Sequence, residues 1–442
     1  MNIHVTVDQV AKMAPDVSVA NAGRKLSLPK NWKTVGQNAQ ALWGECQGSA
    51  LYQVRIELST LTTQCSCPSR KIPCKHSLGL LYLCANTPTA IATGEPPDWV
   101  ISWLNKRSAI QQQKATLATQ GPTKKPAASS TQKSTAKRQE KILQGIAQLD
   151  LWLEDLIRNG LGSLDTHSTT IWHQQAAKMV DAQALGLAQA LRTMSAIPHA
   201  SPDWTEKLLG KLGKLALLSE SYHHLERFAP PLQEDIKLLV GWTLKEAEVH
   251  ERGEHVSDDW FMLGQQTSEV ERNRVQSTWL YGKETGRSAQ ILQFAYASAP
   301  FAENFPLGMQ QRAEIVYWPG NDPQRALFVR RPDMPQAIQG SFGAETLDAF
   351  FAQVATQLAK QPWRETFLCL LQSAIPIYDS NQNRWYLSDQ VGQAVPLVET
   401  ANEHWKLLAL SGGHPLDFAG EWNGEALLPL GVLVDHTTYH LL

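Results

Sequence analysis

The sequence predicts a multidomain α+β protein: a small ββα module at the N-terminus, a basic linker, a helix bundle and a β-rich α+β C-terminal domain. Three observations carry that prediction. Three of the six cysteines crowd into ten positions, Cys65 to Cys74. Helical periodicity of apolar residues runs from about 137 to 250 and then gives way to short alternating runs punctuated by turn residues. Between the two lies a stretch without aromatic or acidic residues. The 442 residues leave room for about three domains at roughly 150 residues each.

The first region, 1–105, holds the cysteine cluster. In Leu51–Leu58 the apolar Val54, Ile56 and Leu58 alternate with Arg55 and Glu57, the pattern of a half-buried strand. Ser77–Cys84 is apolar nearly all round and is expected as a short buried helix, although periodicity alone also allows a strand. Residues 106–136 are rich in Lys, Gln, Ser, Thr and Ala and bury too little apolar area to offset backbone entropy, so they are expected as a flexible basic linker.

Region 137–250 reads as four helices. Ile142, Ile146, Leu149, Leu153, Leu156 and Ile157 recur at helical spacing before Gly160 and Gly162. A second helix is expected over Thr170–Met194, with Trp172, Met179, Leu185 and Leu191 facing the core. A third opens at Ser201-Pro-Asp-Trp and carries Leu208, Leu212, Leu215 and Leu218; a fourth spans about 232–247, after Pro230-Pro231. Region 251–442 reads as strands and turns: a hairpin over Trp279–Phe294, strands at Ala313–Trp318 and Gln324–Val329 around Pro-Gly-Asn-Asp-Pro, and further strands at Trp385–Leu387 and Ala426–Val434. One helix is expected between Thr346 and Leu358, and Asp258-Asp259 as a turn or helix start.

The net charge of −2 hides an asymmetry. Residues 1–141 carry 18 Lys+Arg against 7 Asp+Glu, and the rest 22 against 35. Such a split points to an anionic partner, DNA or RNA, for residues 1–141, or to neutralisation between the two halves. No apolar run approaches the ~18–20 residues of a membrane span, so no membrane partner is expected. The opening MNIHVTVDQVAKMAPDV lacks an apolar core behind a basic start, and six cysteines are too few for a disulfide scaffold. The expected compartment is the cytoplasm.

The strongest signal is Cys65-Ser-Cys67-Pro-Ser-Arg-Lys-Ile-Pro-Cys74-Lys-His76. Residues i and i+2 of an extended strand share a face, so Cys65 and Cys67 present two thiolates together. Pro68 biases Cys67 toward extended dihedrals. The spacer closed by Pro73 lets the chain reverse, and Cys74 and His76 return from the other side. Three thiolates and an imidazole suit a closed tetrahedral zinc site, one structural Zn2+ per chain. An unmetallated cluster or a redox thiol pair is the other reading. Cys46, Cys84 and Cys369 read as buried packing residues.

This Cys-x-Cys…Cys-x-His pattern, with two preceding β elements, resembles the SWIM zinc finger, a ββα metal module. Trp43-Gly-Glu-Cys-Gln-Gly-Ser49, Ala14-Pro-Asp, Ala22-Gly-Arg-Lys-Leu and Met179–Ala188 resemble bacterial SWIM proteins of this length, with Leu185 standing where a proline is expected. The resemblance implies a DNA-binding or protein-interaction module. It also implies a second role, as adaptor in a MoxR-type AAA ATPase and von Willebrand A-domain (VWA) system.

Around the finger, Arg70, Lys71 and Lys75 are candidate phosphate contacts, with no acidic residue between Thr62 and Leu83. A solvated surface is the alternative. No recognition helix with base-reaching polar residues is visible. The other histidines are scattered and no phosphate-cradling Gly-rich loop occurs, so the chain is expected not to be an enzyme, with a cryptic hydrolase as the remote alternative. The tryptophans read as core anchors, with Trp32, Trp43, Trp99 and Trp103 as further contact candidates.

Overall fold

Two short helices cap themselves before the first sheet begins. In α1 (Val7–Lys12) the Thr6 hydroxyl accepts from the Gln9 N–H while the Gln9 side chain accepts from the Thr6 N–H. The Asp16 carboxylate caps α2 (Val17–Arg24) by accepting the Val19 N–H. Strands β1 (Trp32–Gln37), β2 (Ala41–Gln47), β3 (Leu51–Glu57) and β4 (Thr62–Cys65) then form an antiparallel meander. After α3 (Lys75–Asn86), β5 (Ala92–Thr93) joins β1 in parallel, giving the order β4-β3-β2-β1-β5. The computed structural model describes residues 5–119, 128–164, 169–270, 273–297, 299–399, 403–436 and 438–442.

The apolar run after the cysteines is a helix covered on nearly every side: Leu78, Leu80, Leu81 and Leu83 of α3 are all fully buried. It packs closely on α2 because both helices place glycine at the crossing. A Cβ on Gly23 would stand 2.8 Å from the Leu78 Cβ, and one on Gly79 would stand 2.7 Å from the Leu26 Cβ. The predicted ββα unit is therefore β3, β4 and α3, set within a larger sheet and helix layer.

The expected linker is helical on both sides of its centre. Helix α4 (Asp98–Thr119) covers its first half, and α5 (Ala128–Asn159) begins within its second. Residues 120–127 lie outside the described residues. A helix satisfies its own backbone hydrogen bonds without needing a buried apolar face. Lys, Gln, Ala and Arg propagate one cheaply from turns anchored by Val100 and Ile142.

The bundle follows as α5, α6 (Thr169–Asp181), α7 (Leu185–Met194), α8 (Trp204–His223) and α9 (Pro230–Val240), around Ile146, Trp172, Met179, Leu191, Leu208 and Ile236. The single helix expected over Thr170–Met194 breaks at Gln183, whose φ of 63° is left-handed. The break rotates Leu185 outward, half exposed, and Leu187 takes the core position instead. The helix expected over about 232–247 stops at Gly241, with φ 128°, and a separate α10 (Glu246–Arg252) follows. Gly241 is needed there because a Cβ would stand 2.6 Å from the Leu185 nitrogen.

Strands β6 (His255–Val270), β7 (Asn273–Gly282), β8 (Ser288–Tyr296), β9 (Met309–Tyr317) and β10 (Arg325–Arg330) form a closed ring. Antiparallel β6–β7–β8 is completed by a parallel β8–β10 pair and by antiparallel β10–β9 and β9–β6 pairs; β11 (Gln336–Ala337) pairs with β9 at Met309 and Gln310, beyond the end of β10. Helix α11 (Leu347–Lys360), β12 (Phe367–Asp379), β13 (Arg384–Ser388), β14 (Ala394–Pro396), α12 (Glu403–Ser411), β15 (Leu416–Trp422), β16 (Leu427–Val434) and β17 (Thr438–Leu441) build the last unit. Its sheet runs β14-β13-β12-β15-β16-β17. Gly264 lies where this sheet crosses the barrel, since a Cβ there would meet the Leu430 Cβ at 2.7 Å.

Asp258-Asp259 is neither a turn nor a helix start. Both sit in β6, and the fully buried Asp258 carboxylate accepts from the N–H groups of Asp259, Glu284 and Thr285 and from the Thr285 hydroxyl. It braces the β7–β8 turn from inside, a role that pairing across distant strands hides from the sequence.

The N-terminal region is docked on the barrel. Gln9 donates to the Gly308 carbonyl at 3.2 Å, and Gln311 of β9 donates to both Ser59 O, at 2.7 Å, and Asp333 O, at 2.6 Å. The bundle joins the C-terminal region where Asp235 accepts the Asn321 N–H and where Trp363 donates to Lys214 O. Among the described residues no helix is long and apolar enough to cross a membrane.

Candidate metal centre

The hairpin β3–β4 delivers the first two thiols. Cys65 pairs with Val54, and the ladder runs one residue further, with Ser66 N–H donating to Gln53 O and Gln53 N–H to the Ser66 hydroxyl. That pairing fixes Cys65 at the end of β4, and a bend over residues 66–68, not the expected continued strand, brings Cys67 to the same cluster. After the spacer, Cys74 is the N-cap of α3 and accepts the Ser77 N–H at its sulfur, 3.5 Å away. His76 lies in the first turn of the same helix.

Ligand atoms of Cys65, Cys67, Cys74 and His76 all lie within 4.8 Å of one another. His76 Nδ1 is 3.8 Å from Cys65 Sγ and 4.0 Å from Cys74 Sγ. A tetrahedral zinc with Zn–S near ~2.3 Å and Zn–N near ~2.0 Å requires ligand atoms roughly 3.5–3.8 Å apart. The four residues therefore fit one structural zinc ion, and their soft thiolate and imidazole donors suit that metal. Four protein ligands leave no position for substrate. Cys74 and His76 are buried and the other two half-buried.

Hydrogen bonding within the cluster splits the thiols. Cys74 is held well below the usual thiol range, first by the hydrogen bond from Cys65 and then by His76 and Ser77, against the opposing effect of burial. Cys65 is raised by that same bond and by burial, and Cys67 by burial first. The hydrogen bond from Cys65, helped by His76 and Ser77, thus favours one thiolate, and a bound metal would displace the protons of the others. Tyr52, at the start of β3, stacks on the His76 ring with centroids 4.7 Å apart.

All four predicted ligands come together. Cys46, Cys84 and Cys369 are buried outside the cluster, and burial pushes the Cys84 thiol up to about 11. The predicted cations Arg70, Lys71 and Lys75 are all exposed. Lys71 is tied to Asp16 at 2.6 Å, so it is less free than its neighbours. Trp32 and Trp43 are buried, while Trp99 and Trp103 are half-buried and flank the Arg55 guanidinium at 5.7 and 5.8 Å.

A groove of about 450 Å³ runs beside the metal ligands, walled by Ser18 and Ala22 of α2, by Ser49 and Tyr52, and by Ser69 and Lys75. Sequence reasoning missed it because its walls come from three separate segments, with only the Cys67–His76 stretch belonging to the motif.

Comparison with protein families gives two matches. The SWIM zinc finger matches residues 52–85, and the SWIM-associated four-helix bundle domain matches residues 137–240. No curated protein matches the chain, and no solved structure does. The chain thus carries a SWIM zinc finger, closed by Cys65, Cys67, Cys74 and His76, together with the four-helix bundle domain associated with such fingers.

Proposed function

We propose that the chain is a non-catalytic nucleic-acid-binding protein of the cytoplasm, and that the outer surface of its zinc finger meets the phosphates. The observation that carries this reading is a set of exposed cations on the elements of the finger, with Lys75 lining the groove itself. Arg24 of α2 and Lys75 of α3 lie on the two helices that cross at Gly23, and Arg70 and Lys71 project from the spacer between the ligand pairs. Among the described residues, Lys71 alone of these four is in an ion pair. Fixed cations on a rigid, metal-held frame track a phosphate backbone, and this contact carries no base information. Helix α3 is buried along Leu78–Leu83, so it does not serve as a recognition helix in a major groove.

The test is fluorescence anisotropy of labelled duplex and single-stranded DNA with the full chain at two salt concentrations, alongside Arg70→Glu/Lys75→Glu. The expected result is weaker binding by the variant and a shallower salt dependence, by about 0.9 for each lost duplex contact. Equal affinity and slope refute the reading.

Two arrangements favour the non-catalytic part. Ser219 and His223 both hydrogen-bond to Asp150, and Ser341 and His436 both hydrogen-bond to Asp417. In each the serine donates to the carboxylate and not to the imidazole, so no base activates it. The remote hydrolase reading is tested by assaying phosphodiester turnover with added metal.

A second reading, an adaptor for a MoxR-type AAA ATPase with a VWA-domain protein, is favoured by apolar side chains exposed on the bundle. Leu209 and Leu217 of α8 and Leu151 of α5 are each about half exposed or more. Co-elution with a purified ATPase of that type, abolished by Leu209→Ser/Leu217→Ser, is the result this reading requires.

A further inference from the structure

We infer that the C-terminal β-barrel carries a second nucleic-acid surface, which takes a single strand by stacking its bases on Phe294 and Tyr296. The barrel's topology comes first. Numbered along the chain, β6 to β10 lie around the ring in the order one, two, three, five, four, with strand four closing onto strand one and strands three and five parallel. That is the strand order of an OB-type Greek-key barrel, in which the outer face of strands two and three takes oligonucleotides or oligosaccharides. Topology supplies only the place to look.

At that place stand two unpacked aromatic rings. Phe294 and Tyr296 of β8, strand three, are each 60% exposed, while Ala295 between them is buried in the barrel. Both rings therefore leave the same outer face, about 6.8 Å apart along the strand. Val275 lies across from Phe294 and Asn273 across from Tyr296 on β7, with Ser268 of β6 beyond Val275. Elsewhere the barrel's outside is partly covered, and where it is open it carries charged side chains such as Arg312, Glu314 and Arg330. The last sheet lies on Gly264 and on Trp279, whose indole donates to Glu421; Leu238 and Val249 from the bundle side cover Val316 and Leu327. Among the described residues, the open uncharged patch lies at the end of β8 and the strand positions of β6 and β7 paired with it.

Its chemistry favours a nucleic acid. The residues that alternate onto this face beside the rings, Ser268, Asn273, Val275 and Ser277, are uncharged, so no carboxylate of that row repels phosphate. The half-buried Arg325 guanidinium, stacked on Trp318 at 3.9 Å, lies 5.8 Å from the Phe294 ring and puts a positive charge at the edge of the patch. Ring spacing decides the strandedness. Bases in a duplex rise ~3.4 Å, about half the separation of the rings, so each ring takes its own base only from a strand drawn out of the helix. An oligosaccharide also stacks on aromatic rings, but it has no use for the guanidinium.

This surface stands independently of the finger's cations, and the experiment separates the two. Labelled oligothymidylate is titrated with the full wild-type chain, with Phe294→Ala/Tyr296→Ala, with Phe294→Trp/Tyr296→Trp and with Arg70→Glu/Lys75→Glu. The double alanine variant is expected to bind about five- to hundredfold more weakly per ring with an unchanged salt slope, because stacking releases no counterions. The tryptophan pair retains wild-type affinity or exceeds it. The charge-reversed finger lowers the slope with the rings intact, and its failure to do so counts against the finger alone. Wild-type affinity in the double alanine variant overturns the inference, as does binding of a neutral oligosaccharide at these rings in place of the oligonucleotide.

Discussion

Tyr52 lies nearly flat against the imidazole of His76, with an angle of 30° between the rings. One end of the finger's first strand thus clamps the only nitrogen ligand of its metal. Removing the clamp frees the imidazole to rotate away. Tyr52→Ala is expected to weaken zinc binding about tenfold to hundredfold, the usual cost of losing an outer-shell partner, whereas Tyr52→Phe keeps the ring and most of the affinity. Competition against a chromophoric chelator measures both, and equal affinity in the alanine variant contradicts the clamp.

Cys67→Ser or His76→Ala should lower bound zinc from about one ion per chain, since each removes a quarter of a closed coordination shell. Metal analysis of the purified variants decides it. Stripping the wild type of zinc should raise hydrogen exchange across β3, β4 and α3 and leave the bundle's helices α5 to α9 protected. Unchanged exchange in the finger after complete metal removal would sink the assignment.

Glycine gives a paired test of packing. Gly79→Val drives a branched side chain into the Leu26 Cβ, 2.7 Å from the new Cβ position, and should cost about 1–3 kcal/mol. Gly210, in α8, has nothing within 4 Å of a built Cβ, so Gly210→Ala should stabilise by about 0.5–1 kcal/mol through helix propensity. Urea unfolding monitors both, and opposite signs are required.

His255 gives the chain a pH signature. Its pKa is raised, first by the hydrogen bond to the His250 carbonyl and then by Glu314, 2.9 Å away, against partial burial. A raised folded-state value means that the charged imidazole stabilises the fold fully below the unfolded value near ~6.5. That contribution is lost as pH rises through the folded value. Because the pair is largely solvated, the effect should be only about 0.5 kcal/mol. His255→Gln should therefore lower the melting temperature at acidic pH and leave it unchanged at alkaline pH; an equal loss at both would refute the linkage.

The metal site was legible because its ligands are local. Cys65 to His76 span a single turn of chain, so spacing alone nearly determines geometry. The core helices were legible for the same reason, as the rows through Ile142 and Leu208 show. The misreadings fall where distant segments decide. With Leu185 in place of the proline that would mark a helix start, the apolar periodicity runs on through Gln183 and hides the break. Asp258 looked like a turn residue because its partners, Glu284 and Thr285, belong to another hairpin. The groove beside the metal and the rings of β8 were equally hidden, since only folding sets their walls and their exposure.

The contact between Gln311 and Ser59 bears on how the chain is made. Its two ends are 252 residues apart, so a ribosome finishes the finger long before it makes the barrel strand that will hold it. At ~5–20 residues per second the wait is roughly ten to fifty seconds. During that interval the finger has only its own core and its metal to keep it folded, and a structural zinc of this kind contributes on the order of 10–16 kcal/mol. Early capture of zinc is thus what delivers a finished surface to the barrel when β9 arrives. Synthesis without zinc is therefore expected to leave the finger held by its own core alone until the Gln311 amide arrives to meet Ser59.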